Sequence, residues 1–224
     1  VVSDLLAFRK LNSLMEVSTI ADNIGATQST GYEFSLNTVN LTGPFKWNTT
    51  LNISSYNDRW KERNPDVVLA PYEKEDAPIR AIYGCVSDGI LQIGETPPAS
   101  MPDLLPGQMK VKDLNGFDPN DGSKLLGHPD GKIDAADRIY LGSTDPKVII
   151  GFGNMFEYKN FDLNIFFYGM FGQYVANSNR AKYGPSGCEY ILQRQNYSKE
   201  VLERWTPDNP TNKFPSGFYS AYYG

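Results

Sequence analysis

The 224 residues carry a formal net charge of −5, with 40% hydrophobic and 13% aromatic residues. Lys and Arg stand singly, and the absence of a basic patch or stripe excludes nucleic acid as a partner. No apolar run of about 18 residues or more occurs, so no membrane-spanning helix is predicted, while the length allows one or two domains.

The first patterned block covers about residues 30–56. Tyr32, Phe34 and Leu36 alternate with Glu33, Ser35 and Asn37, and beyond Asn40-Leu41-Thr42-Gly43-Pro44 the residues Phe45, Trp47, Leu51 and Ile53 alternate with Lys46, Asn48, Asn52 and Ser54. This period of two predicts a hairpin with one apolar and one polar face.

About residues 57–146 hold most of the prolines and no strong periodicity. So long an unpatterned stretch signals a functional loop or a mistaken assignment. Within it, Asp113-Leu114-Asn115-Gly116 breaks off and resumes as Asp130-Gly131-Lys132-Ile133-Asp134-Ala135-Ala136-Asp137. With residues 117–129 set aside, the stretch reads D-x-N-x-D-G-x-I-D-x-x-D, the ligand spacing of an EF-hand-type calcium loop.

Asp113, Asn115, Asp130, Asp134 and Asp137 would supply side-chain oxygens to the ion, Lys132 its carbonyl, and Gly131 the sharp turn. Asp stands last, where a bidentate Glu is usual. Asp118, Asn120 and Asp121 lie inside the insertion and could replace or complete the set. The alternative is a solvated turn rich in Asp, Asn and Gly.

The second patterned block covers about residues 147–172. Val148, Ile150, Phe152, Phe156 and Tyr158 share one parity, Lys159-Asn160 turns tightly, and Phe161, Leu163, Ile165, Phe167 and Phe171 share a face of the return strand. Each arm is about ten residues, the length of a tilted membrane-spanning strand. Tight turns at one end and long loops at the other fit an outer-membrane barrel.

In the last stretch, about residues 173–224, Ser198–Trp205 has a helical pattern with Ser198 as N-cap and Pro207 as the stop. Tyr32, Trp47, Tyr56, Tyr158, Tyr168 and Tyr174 lie near strand ends and suit interfacial girdles, the alternative being aromatic pairs in a soluble sandwich. Trp60, Tyr72, Tyr83 and Trp205 are candidates for stacking on sugar rings or packing against a partner, with a role in the loop core as the alternative.

Cys85 and Cys188 fit either one disulfide or two thiols. The Asn-x-Ser/Thr tripeptides at Asn40, Asn48, Asn52 and Asn196 read as chance matches in an Asn- and Thr-rich strand protein. The single histidine, His128, sits in the insertion, no nucleophile–base set can be assembled, and no zinc spacing occurs, so the chain is not expected to be an enzyme. Val1 opens without a signal peptide and Gly224 closes without a terminal-looking element, so the expectation is a piece of a longer protein.

Several segments together carry a family resemblance. Gly31-Tyr32-Glu33-Phe34-Ser35-Leu36-Asn37, Asp88-Gly89-Ile90-Leu91-Gln92, the interrupted loop with Asp137-Arg138-Ile139-Tyr140-Leu141-Gly142, Tyr158-Lys159-Asn160-Phe161-Asp162-Leu163, and Arg204-Trp205-Thr206-Pro207-Asp208-Asn209-Pro210 resemble, in this order and approximate spacing, SusC/RagA-type TonB-linked outer-membrane proteins. The resemblance covers nearly the whole chain.

It implies an all-β fold, a partial transmembrane barrel of antiparallel strands with long extracellular loops, cut from the late part of a 22-stranded barrel. It also implies the outer membrane of a Gram-negative, Bacteroidota-like bacterium, with membrane lipid around the barrel and TonB acting through an N-terminal region absent here. The family's partner would be a SusD-like surface lipoprotein and its cargo oligosaccharides or, in some members, peptides. Residues 117–129 are extra relative to the family's loop. The competing expectation is a soluble secreted β-rich glycan-binding module with a calcium-stabilised loop.

Overall fold

The computed structural model describes residues 1–10, 19–177, 179 and 196–217. The chain divides into two units, the first made of Val1–Leu69, Glu73–Ile82 and Leu141–Tyr174, the second of Ala70–Tyr72, Tyr83–Tyr140 and Val175–Gly224. Among residues 1–10, 19–177 and 196–217 all regular structure is strand or short 3-10 turn.

In the first unit, β1 (Leu6–Lys10) and β2 (Thr19–Asn23) form a hairpin that the sequence pattern did not predict. β3 (Ala26–Thr42) and β4 (Phe45–Glu62) are joined by Gly43-Pro44 and make the first predicted hairpin. In the second unit, β5 (Ala81–Gly84) leads in from the first, and β6 (Ser87–Ile90), β7 (Met109–Val111), β8 (Phe117–Asp118) and β9 (Asp121–Leu125) follow. β10 (Ile139–Ser143) carries the chain back to the first unit, where β11 (Val148–Tyr158) and β12 (Phe161–Phe171) make the second predicted hairpin.

The first unit is dominated by a four-stranded antiparallel sheet in the order β12-β11-β4-β3. Tyr158 pairs with Phe45 and with Phe161, so both tight turns lie at the same end of the sheet. Lys159 takes φ +56, the left-handed geometry that a two-residue hairpin turn requires. The order is that of an up-and-down barrel wall, in which sequential strands are neighbours and the long connection rises from the opposite end.

Register fixes the faces. One face carries Phe34, Leu36, Leu51, Ile53, Ile150, Phe152, Phe156, Leu163 and Phe167 in adjacent rows. Phe161 is 80% and Phe167 62% exposed on this face, which a water-soluble sheet would have to cover. Its middle holds one polar chain, made possible by the bulge between Val39 and Leu41 that leaves Asn40 unpaired in the ladder. Thr38 donates to Asn40 (3.0 Å), Asn40 to Thr49 (2.6 Å), and Thr49 and the Trp47 indole N–H both donate to Asn154 Oδ1 (2.8 and 2.9 Å). The polar atoms thus satisfy one another, as an apolar surrounding demands.

The other face is mixed. Ser35 donates to Asn52 (2.7 Å), and Lys46 pairs with Glu157 (2.8 Å). The Phe166 ring lies over Gly151 and Gly153, where added Cβ atoms would stand 3.5 and 3.4 Å from it. These glycines form a floor for the ring.

Parity corrects part of the girdle reading. Tyr32 and Tyr158 lie on the apolar face, 64% and 47% exposed, at opposite ends of its rows, and Trp47 joins them near the turns. Tyr56 and Tyr168 have the opposite parity and cannot share that girdle, while the Tyr174 ring covers Gly142. Nearness to a strand end is no guide to face when the side-chain period is two.

Candidate functional site

The long middle stretch is not structureless. It joins the later stretch, 196–217, in the second unit, around a small core of Leu91, Met101, Leu104 and Val111 with Ile133 packed against it. Polar bonds stitch the two stretches together. The Trp205 indole donates to Gln92 Oε1 (2.9 Å), the Ile90 N–H to Asn212 Oδ1 (3.1 Å), and the Ser216 N–H to the Gly107 carbonyl (2.7 Å).

Gly107 adopts φ +90, and a Cβ there would stand 2.3 Å from Trp205 Cε3. Only glycine satisfies both the backbone geometry and the close approach of the indole. Trp205 is 4% exposed, so it anchors the two stretches and offers no ring face to a sugar. Beside it, the helical pattern of Ser198–Trp205 forms a short 3-10 helix, Lys199–Glu203; Ser198 stands at the N-cap position but makes no side-chain cap bond.

The insertion resolves the interrupted motif. Residues 117–129 contain the β8–β9 hairpin, and at its base Asn115 Oδ1 accepts from the Gly127 N–H (2.7 Å) while the Leu126 N–H donates to the Gly116 carbonyl (2.9 Å). The hairpin loops out and returns the flanks to each other. Asp113 accepts from the Asp130 and Gly131 N–H groups (3.3 and 2.8 Å), with Gly131 at φ +85 as the turn requires.

Asp137, fully buried at 0% exposure, accepts from the N–H groups of Leu114 (2.7 Å) and Asn115 (3.2 Å) through Oδ1 and of Asp134 (2.9 Å) through Oδ2. Asp134 in turn accepts from the Ala136 N–H (2.7 Å), completing a capping box on the short turn Ala135–Asp137.

The structure therefore unites the two halves of the motif but closes them as a hydrogen-bonded clasp. Asp130 Oδ1 accepts from the Lys132 N–H (3.0 Å), and among the described residues no three His, Cys, Asp or Glu side chains converge as a cation cage. Of the insertion's oxygens, Asp118 accepts from the Asn120 N–H (2.8 Å) and Asp121 from the Ser123 N–H (3.1 Å), both serving the hairpin. His128 is exposed on the same insertion.

Of the other candidates, Tyr72 and Tyr83 meet at 5.4 Å between ring centroids, and Tyr83 meets Tyr140 at 6.0 Å. Tyr140 is 48% exposed, so this three-ring row has an open end. Residue type alone singles out Tyr72 and Tyr83; Tyr140 joins them through the fold. Trp60, in the first unit, is half-buried with the Arg63 guanidinium 5.4 Å from its ring. Cys85 is exposed, and Cys188 falls outside the described residues.

Exposed ion pairs add to the loop unit. The Gln92 N–H and then Lys110 hold the Glu95 carboxyl below the usual range, and Lys213 does the same for Glu203. Because both are lowered in the folded state, their small contribution is present above the ordinary carboxylate range and is lost as pH falls through the folded values.

The first unit has the strand order and the exposed apolar face of a barrel wall, the second is a folded loop unit, and the comparisons with known proteins agree. The chain is 30% identical over 95% of its length to TonB-dependent receptor P3 of Formosa agariphila, and 31% identical over 93% to TonB-dependent receptor P26 of the same organism. It spans 21% and 22% of the length of those relatives. The fold matches the RagAB peptide importer in its closed-closed state (TM-score 0.65, 16% identity, 98% of this chain and 23% of that one) and in its open-open state (TM-score 0.64). No family model matches.

The chain is thus homologous, over nearly its whole length, to a segment of TonB-dependent receptors, as the motifs indicated.

Proposed function

We propose that the chain is a late barrel part of a TonB-dependent importer for oligosaccharides or similar nutrients, working with a SusD-like lipoprotein. The observation that carries this reading is the four-stranded up-and-down sheet with one exposed apolar face, turned tightly at one end. Such a face suits lipid and would aggregate in water, which disfavours the soluble glycan-binding module. The likeness to a solved peptide importer supports the transport reading and makes peptides an alternative cargo.

On this reading the turns at Gly43-Pro44 and Lys159-Asn160 face the periplasm and the loop unit faces outward, its Tyr72–Tyr83–Tyr140 row available to ligand or lipoprotein. Detergent extraction of outer membranes from the native host tests it. The full-length protein is expected as a heat-modifiable species with a co-purifying lipoprotein; recovery as a detergent-independent soluble protein would sink the proposal.

Calcium at the Asp113–Asp137 loop is a separate proposal. It is supported by the ligand spacing and by the meeting of the two flanks, and it requires Asp130 and Asp134 to turn inward on binding. Limited proteolysis of the full-length protein in calcium and in chelator decides it. Protection of the loop by calcium, lost in Asp130→Ala/Asp134→Ala, is expected. Identical cleavage in both conditions would leave the hydrogen-bonded clasp as the full account.

A further inference from the structure

We propose that the outward face of the β3–β4 hairpin, above its apolar rows, holds the phosphate-bearing headgroup of lipopolysaccharide through Arg59 and Lys61. This rests on the membrane reading given above. The hairpin is longer than the membrane needs. β11 last pairs with β4 at Ser54, and residues 55–62 of β4 continue beyond it with β3 on one edge and, on the other, the short segment 77–79, where Arg59 bridges Pro78, the Trp60 N–H donates to the Ala77 carbonyl (3.2 Å) and the Ile79 N–H to the Asp58 carbonyl (3.3 Å).

From Phe45 near the turn to Ser55, opposite Tyr32, the strand runs ~34 Å, or ~26 Å along the membrane normal at a tilt of about 40°. That is the height of an apolar barrel band, about 25 Å. Tyr32, 64% exposed, caps it at the level of an aromatic girdle.

Immediately above, the same face turns polar. Thr30 pairs with Asn57 and Gln28 with Arg59, continuing the parity of Tyr32 and Phe34. Lys61, the extra residue of the bulge opposite Ala26/Thr27, lines the same recess, which has a volume of about 440 Å³. Arg59 stands four residues above the Tyr32 row, ~10 Å along the normal, which is the headgroup layer of the outer leaflet.

The donors suit a phosphorylated sugar. A guanidinium fork matches phosphate oxygens, an ammonium adds a point charge, and the amides of Gln28 and Asn57 and the Thr30 hydroxyl offer donors and acceptors to the sugar. The Asp76 carboxylate also lines the recess, 3.9 Å from Arg59 Nη1, whose N–H also reaches the Asp76 carbonyl at 3.4 Å. At 73% exposure and that distance the pair is weak, and two cations against one carboxylate leave the recess positive on a protein of net charge −5.

The test uses the full-length protein purified from outer membranes in mild detergent, with native mass spectrometry of retained lipid and titration with purified lipopolysaccharide. Wild type is expected to retain lipopolysaccharide, and Arg59→Gln/Lys61→Gln to bind it about tenfold more weakly or less while remaining heat-modifiable. The charge-preserving Arg59→Lys/Lys61→Arg variant should stay near wild type. Equal binding by the Gln variant overturns the inference, as does displacement by inorganic phosphate at matching phosphate concentration, which would mark a free-anion site. Equal retention of phosphatidylglycerol in nanodiscs would overturn the commitment to lipopolysaccharide. Absence of the wild-type protein from the outer membrane would instead overturn the barrel reading, and this inference with it.

Discussion

Leu51→Arg in the full-length protein should lower the stability of the folded barrel by about 2–4 kcal/mol, the cost of a charge on the lipid face near the bilayer midplane. Leu51 pairs with Leu36 on one side and Phe152 on the other, in the apolar rows and about midway between the turn and the Tyr32 row. Asn52→Arg, one residue along, places the same charge on the face that already holds the Lys46–Glu157 pair, and should cost far less. Urea titration of the reconstituted protein, followed by the heat-modifiable band, reads both. Equal effects of the two substitutions would mean that the sheet does not present one face to lipid.

Asp137→Ala should loosen the loop unit by about 3–5 kcal/mol while leaving the four-stranded sheet intact. The carboxylate is fully buried and accepts from three backbone N–H groups, so its removal strands all three, and unsatisfied buried donors each cost about 1–3 kcal/mol. Asp137→Asn keeps one acceptor oxygen and should fall between wild type and Ala. Protease cleavage within residues 113–140 of the full-length protein measures the opening. Cleavage of the Ala variant at the wild-type rate would show that the clasp does not hold the loop.

The two hairpins were legible because alternate residues keep their character across four strands, and period two is a strong local signal. The strands run longer than expected because above Tyr32 the apolar parity turns polar at Gln28, Thr30, Asn57 and Arg59, which erases the alternation. The looping-out of residues 117–129 was readable from the broken motif. What the carboxylates do after the flanks meet was not readable, since the same Asp and Asn residues serve a cation or a row of backbone N–H groups.

The loop core was hidden for a different reason. Leu91, Met101, Leu104, Val111 and Ile133 follow no period, and the seam that holds them spans long separations, as in the Trp205–Gln92 bond across 113 positions. The Tyr72–Tyr83–Tyr140 row is likewise assembled by tertiary contact. Side-chain type suggested Tyr72 and Tyr83, but only the fold adds Tyr140 and removes Trp205 by burying it.

The central claim is that the sheet spans the outer membrane with its two tight turns inside and the loop unit outside. A protease recognition sequence inserted at Asn120–Asp121, the β8–β9 turn, or at Lys159–Asn160, the β11–β12 turn, tests it in intact cells expressing the full-length protein. Cleavage by added protease at the first site alone, with the second cut only after the outer membrane is opened, is the predicted result. Cleavage at Lys159–Asn160 in intact cells would contradict the account.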